Sequence, residues 1–336
     1  MMGGFKMKRI SLFLFSVLLI LSLAACSEGS SGEDASDYPK KQIKVIQGFD
    51  PGGGSDQLAQ ATQPYLKDYL GESLNNEYKP GAAGAIGWTK LANGTENDGY
   101  TISITNSPML MTNYIMNDEI EYSLDDFDPI ANVVTDPGII VVSEDSEFDD
   151  YEDLEKYVEE NPGKLKASNS GVGGDDFFTQ LKWMKETGLD IDLVAYDGDG
   201  PSWEAAAGGD VEVSFNNLGV VYPQLEAGKL KALLVFSEER EELLPDVPTA
   251  KEKGVDVVSG SSRGYSAPKD IPEKAKKELE EAFEQLEDDE EFKEGLEDLA
   301  LPMDIKTGKD YKKFLEDEEE AAEELWNEVK DEYDEE

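Results

Sequence analysis

The chain has 336 residues, 39% of them hydrophobic, enough for two domains with cores of their own. It carries 75 acidic residues against 30 basic ones, a formal charge of -45, and no histidine. The balance excludes nucleic-acid binding, which needs basic patches, and the missing histidine excludes histidine-based catalysis and histidine-ligated metal sites.

Lys6, Lys8 and Arg9 precede a nearly all-apolar run, Ile10 to Leu23, which ends in Leu23-Ala24-Ala25-Cys26. A positive start, an apolar stretch and small residues read as a secretory signal peptide over residues 1–25. The run is shorter than the roughly 20 apolar residues of a membrane span. Cys26 is the only cysteine, so no internal disulfide can form. Its setting resembles the lipobox of bacterial lipoproteins. That resemblance implies a diacylated Cys26 and an extracytoplasmic protein held at the outer face of the cell membrane. Residues 26–41, which include SEGSSGEDASD, read as a flexible polar tether. The signal holds three basic residues and no acids, so the exported chain is more acidic still. Such a surface suits strong salt, where the Debye length falls to about 3 Å at 1 M, or high pH.

The elements then alternate. Ile43–Ile46 predicts a strand, and QGFDPGGGSD leads into a helix ending at Leu70, with Gly71 as its stop and Pro64 interrupting and kinking it. KPGAAG opens a helix over residues 85–92, Asp98-Gly99 turns into a strand over 100–105, and Asn106-Ser107-Pro108 opens another helix. Ile139–Val142 is an apolar strand, and Phe148–Glu160 a helix closed by Asn-Pro-Gly. The pattern restarts with a strand at 165–168, the Gly-rich turn SGVGGDD and a helix from Asp175 to Thr187. Strands at 192–196, 211–215 and 230–236 follow, with a helix opened by Asp197-Gly198-Asp199-Gly200-Pro201, Pro201 at its first position, and another over 218–227. Pro272–Leu299 and Lys309–Glu332 read as long amphipathic packing helices with solvated acidic faces. Strand, glycine turn and helix in repetition predict an α/β sheet with ligand loops at the carboxyl ends of the strands.

A glycine-rich turn that opens a helix lets N–H groups converge, and the helix amino terminus adds roughly half a positive charge. Such a place binds a carboxylate or phosphate without a basic side chain; the same turn can also be only a turn. No Gly-Lys-Ser/Thr follows, which argues against a Walker loop. Asp175-Asp176 could serve acid–base work or Ca²⁺, but neighbouring acids are expected by chance here, and no EF-hand loop occurs. Tyr196 reads equally as core or as a site phenol, and Asn216 and Asn217 equally as turn residues or site amides.

From about Gln42 onward the motifs come in a specific order: GFDPGGGSD, KPGAAGAIG, DGYTI, SGVGGDD, YDGDGP, GGDVEVSFNNL, AGKLKALLVF, LLPDVPTAKEKG and GYSAP. Together they resemble the extracytoplasmic solute-binding proteins of tripartite tricarboxylate transporters, the TctC or Bug family. The resemblance implies an α/β, periplasmic-binding-protein-like fold of type II, with two α/β domains joined by two crossing strands around a ligand cleft. The expected domains are 42–142 with 262–336, and 143–261. It implies a small organic carboxylate held mostly by backbone N–H groups, hydroxyls and waters. Gly53, Gly54, Ser55 and Asp56 would form one wall, with Phe49 over the ligand and Ser107 at the third strand. Ser170, Gly173, Gly174 and Asp175 would form the other wall, and Tyr196, Gly198 and Asn216 the far end. The family often has Ser or Thr at Gly174, His at Phe177 and Asp at Asn216, so the substrate is not fixed by the resemblance. It further implies no cofactor and no enzymatic step, a monomer, and large and small membrane permease subunits as partners. A receptor reporting to a signalling kinase is the second reading, and an enzyme acting on a carboxylate the third.

Overall fold

The computed structural model describes residues 38–52, 54–196 and 198–333. The expected signal peptide, Cys26, most of the tether and Gly53 lie outside the described residues.

The chain begins β1 (Ile43–Gln47), α1 (Gly54–Leu70), β2 (Leu74–Tyr78), α2 (Ala85–Gly94), β3 (Thr101–Ser107) and α3 (Met109–Met116). β4 (Phe127–Ser143) is 17 residues long. Then come α4 (Tyr151–Glu160), β5 (Lys166–Asn169), α5 (Asp175–Thr187), β6 (Asp192–Ala195), α6 (Asp199–Gly208), β7 (Val213–Asn217), α7 (Leu218–Glu226) and β8 (Leu230–Val235). The last part is β9 (Gly260–Pro268), α8 (Glu273–Glu284), α9 (Glu290–Glu297), β10 (Met303–Thr307) and α10 (Gly308–Tyr333).

The strands make one mixed sheet in the order β2-β1-β3-β9-β4-β7-β5-β6, with β10 and β8 also paired to β4. β1 lies parallel to β2 and β3, and β5 parallel to β6 and β7. Each parallel set has helical crossovers, so its loops gather at the strands' carboxyl ends. β4 joins the two sets: it pairs with β9 over Phe127–Pro137, then with β7 and β8 over Gly138–Ser143. Because β4 is almost wholly buried, its apolar residues run on instead of alternating. β4 and β9 approach closely at Gly264, where a Cβ would stand 2.1 Å from the Ala131 carbonyl oxygen. The register slips next to Pro129, which supplies no ladder donor.

Each half has its own core. Trp88, Leu110, Tyr122 and Phe127 anchor the first, and Trp183, Phe215 and Phe236 the second. α10 touches both: Tyr311 and Leu315 join the first core, while Ala322, Leu325 and Trp326 pack on Phe177, Phe178 and Leu181 of α5. Phe177, at the position where the family often has His, is therefore part of this apolar contact.

Several expectations are corrected. α1 continues through Pro64, which forgoes one intrahelical bond without ending the helix. The segment 272–299 is two helices separated by a 3₁₀ turn, because the Asp289 carboxylate accepts the Phe292 N–H at 3.0 Å and starts α9 afresh. Asp150 likewise starts α4 three residues late by accepting the Asp153 N–H at 3.0 Å. Pro201 stands third in α6, not first, since the helix already begins at Asp199. The apolar strand at 139–142 is only the tail of β4. β2, β9 and β10 had no periodic signal: β2 and β10 are short and polar, and β9 is rich in serine and glycine.

Candidate functional site

The first helix opening is built around Asp56. Its Oδ2 accepts the Gly52 N–H at 2.9 Å and the Gln60 amide at 2.8 Å, and its Oδ1 accepts the Tyr78 hydroxyl at 2.7 Å. Burial disfavours the charge, but these three bonds outweigh it and hold the carboxyl below its ordinary value. Asp56 thus ties the turn to the helix, with both oxygens engaged. Beside it, Ser55 Oγ lies 3.1 Å from both ends of the Asn106 amide at the close of β3. Ser107 follows, its Oγ buried and without a hydrogen-bond partner among the described residues. Phe49 is half-buried and meets Trp88 edge-on, ring centres 6.0 Å apart.

The second opening has the opposite electrostatics. Gly174 caps α5, and Asp175 and Asp176 are its first two residues, 6% and 1% exposed. Asp175 Oδ2 accepts the Asn217 amide at 2.7 Å. Burial and the charge of Asp199 raise the Asp175 carboxyl to about 6. Burial and the neighbouring Asp175 and Asp199 raise Asp176 further, and burial raises Asp199 at the start of α6. Ser170 stabilises the ionised forms of Asp176 and Asp199 by hydrogen bonding, without cancelling the shift. A carboxyl that holds its proton can donate a hydrogen bond as well as accept one. Among the described residues no group of acids is arranged to hold a metal ion.

The openings meet where β4 and β9 cross. Thr112 Oγ1 on α3 donates to the Gly173 carbonyl at 2.7 Å, joining the first half to the second turn. The Gly198 N–H donates to the Ser170 carbonyl at 3.1 Å, joining the two turns of the second half. Between them lies a buried ion pair, Arg263 on β9 with Asp136 on β4, at 3.3 Å. Asp136 also accepts the Gly219 N–H at 2.8 Å and so caps α7. Burial raises its carboxyl to about 6 despite the opposing pull of Arg263.

The structure therefore brings together Gly54, Ser55 and Ser107 on one side and Ser170, Gly173, Gly174, Asp175 and Gly198 on the other. Tyr196 is half-buried and packs against Ala205, Ala206 and Val211. Asn216 is fully buried, its amide donating to the Asp199 carbonyl at 3.2 Å, while its neighbour Asn217 is the amide that reaches Asp175. Sequence reasoning left out Asn106, Thr112, Asp136, Asp199 and Arg263, and raised Asp176 and Asn217 only as one of two readings each. Of the five left out, only Arg263 carried a signal: it is one of two arginines after the signal segment.

Helix amino termini converging where two halves of a shared sheet cross define a solute receptor of the periplasmic-binding-protein kind. Residues 58–330 match the tripartite tricarboxylate transporter family receptor, TctC, and the chain belongs to that family, whose members are receptors and not enzymes. A UPF0065 protein of Bordetella pertussis is 26% identical over 305 residues, 90% of this chain and 94% of that one. A solved periplasmic transporter is 30% identical with a TM-score of 0.77, covering 86% of this chain and 97% of that one. Two Rhodopseudomonas palustris proteins, each 24% identical, share the fold. One was solved with adipate (TM-score 0.77, 87% of this chain and 98% of that one), and the other is MatC with bound malate (TM-score 0.72, 86% and 99%).

Proposed function

We propose that this receptor is an extracytoplasmic, lipid-anchored protein that captures a small di- or tricarboxylate and delivers it to a tripartite tricarboxylate transporter permease. The observation that carries the reading is the pair of glycine-rich helix openings, α1 and α5, brought to one place by the crossing strands. There, oriented N–H groups, Ser55, Ser107 and Ser170 offer donors to an anion in a chain of -45 charge. The wide negative field is screened by salt, whereas donors within hydrogen-bond reach are not. Residues 42–142 with 262–336 and residues 143–261 act as the two domains that close on the ligand. The adipate and malate held by the two Rhodopseudomonas palustris proteins support the ligand class. Leu-Ala-Ala-Cys26 supports the anchor.

A thermal-shift screen of citrate, succinate, malate, adipate, glutamate and benzoate in low and high salt tests the ligand. A ligand at 100 times its dissociation constant stabilises by about 2.7 kcal/mol. A shift confined to the di- and tricarboxylates, with none from benzoate, is expected; no shift with any of them in folded protein overturns the reading. Cys26→Ala should move the protein from the membrane fraction to the medium, and retention of the variant on the membrane would remove the lipid anchor from the proposal.

A further inference from the structure

Arg263 is 5% exposed, and among the described residues only its Nη1 donates a hydrogen bond. Its one acceptor among the described residues is Asp136 Oδ2, at 3.3 Å from Nη1. That is long for a charge-assisted pair, which commonly measures about 2.7–2.9 Å. The guanidinium offers five N–H groups, so a fork with one acceptor keeps donors available to a ligand.

The free side of the guanidinium has a definite address. A Cβ on Gly54 would stand 3.0 Å from Arg263 Cζ and Nε and 3.2 Å from Nη2. Gly54 is the first residue of the 17-residue helix α1, so the fork lies against that helix's amino terminus. The register explains why. Arg263 pairs with Asn106 on β3 and Val134 on β4, and Asn106 in turn holds Ser55. The absence of a side chain at Gly54 leaves the space that the guanidinium occupies. On the other side, the charge of Arg263 favours ionisation of Asp175 and Asp199, so it stands within electrostatic reach of the second opening too.

We infer that Arg263 is the charged anchor of the ligand: together with the N–H groups opening α1, its free fork binds one carboxylate, while Asp136 fixes the other edge of the guanidinium. This rests on the proposed carboxylate-receptor reading and departs from the family resemblance, which implies binding without arginine. It also gives Gly54 a reason to be glycine that the turn alone does not supply.

The alternative is that the Arg263–Asp136 pair only braces the crossing strands. Titration calorimetry separates the two, using whichever of succinate, malate, adipate and citrate binds the parent protein, beside the monoamide of the same acid. Arg263→Gln should weaken the full acid about 10- to 100-fold, the range for a lost charged hydrogen bond, and should remove most of the preference for acid over monoamide. Arg263→Lys should restore part of the affinity, because it keeps the charge but not the planar fork. A bracing role would lower the melting temperature while leaving the acid-to-amide preference unchanged, and that result overturns the inference. If Arg263→Gln does not fold, Gly54→Ala serves instead, since its methyl displaces the guanidinium without touching the ion pair's acid. Weaker binding is expected there, and an unchanged dissociation constant overturns the inference. A parent protein that binds none of the four acids overturns the receptor reading itself, and this anchor with it.

Discussion

The two helix openings share a sequence pattern and differ in electrostatics. Gly54-Ser55-Asp56 and Gly174-Asp175-Asp176 both put glycine before a first-turn aspartate, where the helix dipole favours a negative charge. At α1 one carboxylate receives three hydrogen bonds, and its proton affinity falls. At α5 two carboxylates are buried beside a third, and their proton affinities rise. The dipole is common to both, so the difference comes from donors and neighbours. One opening is a fixed anion held by its own turn; the other is an acid cluster poised to hold protons.

The largest test of that contrast is whether the α5 cluster depends on the body of its helix. Phe178 is 1% exposed in the contact with α10. Phe178→Ala should cost about 3–5 kcal/mol in urea unfolding, as for other buried aromatics. A loss below about 1 kcal/mol would mean α10 does not hold α5 in place.

Next is the titration of Asp175. Its carboxyl is raised from 3.8 to about 6 in the folded state, so the native protein binds that proton more tightly than the unfolded chain. The stability from this group is complete below about pH 4 and is lost as pH rises through about 6. Asp175→Asn, which can still accept from Asn217, should therefore stabilise the protein at pH 8 by up to about 3 kcal/mol, fading toward zero at pH 4. A gain that does not depend on pH would break the contrast.

Asp56 should behave in the reverse sense. Its carboxyl is held below 3.8, so its contribution is present above that pH and lost as pH falls through the lowered folded value. Asp56→Asn cannot accept all three bonds and should cost about 1–2 kcal/mol at pH 7. Equal stability in denaturant titrations at pH 7 would show that the turn does not need the charge.

The smallest effect is at the bridge between the openings. Thr112→Val removes the hydrogen bond to the Gly173 carbonyl and should cost about 1 kcal/mol, with ligand affinity also reduced if the bridge favours the bound arrangement. An increase in stability would show the bond to be strained instead.

Local chemistry made much of this legible. The glycine turns, the caps at Gly71 and Gly188 and the helix from Asp175 to Thr187 stand where composition and periodicity put them. β9 was not legible, because GSSRGYSAP has neither alternation nor an apolar run; it is a strand only because β3 and β4 flank it. The same reason hid the buried ion pair between the two openings. Arg263 and Asp136 are 127 residues apart in sequence, and only the crossing of β4 and β9 makes them neighbours.

The sequence by itself determined the family, the sites of the helix openings and the acidity of the surface, because each follows from residues close along the chain. The tertiary structure alone decided which aspartates keep their charge, which amide faces the second helix and where the one buried arginine among the described residues points. Those depend on burial and on partners brought in from other strands, and the protonation of a carboxylate is set by its surroundings in space.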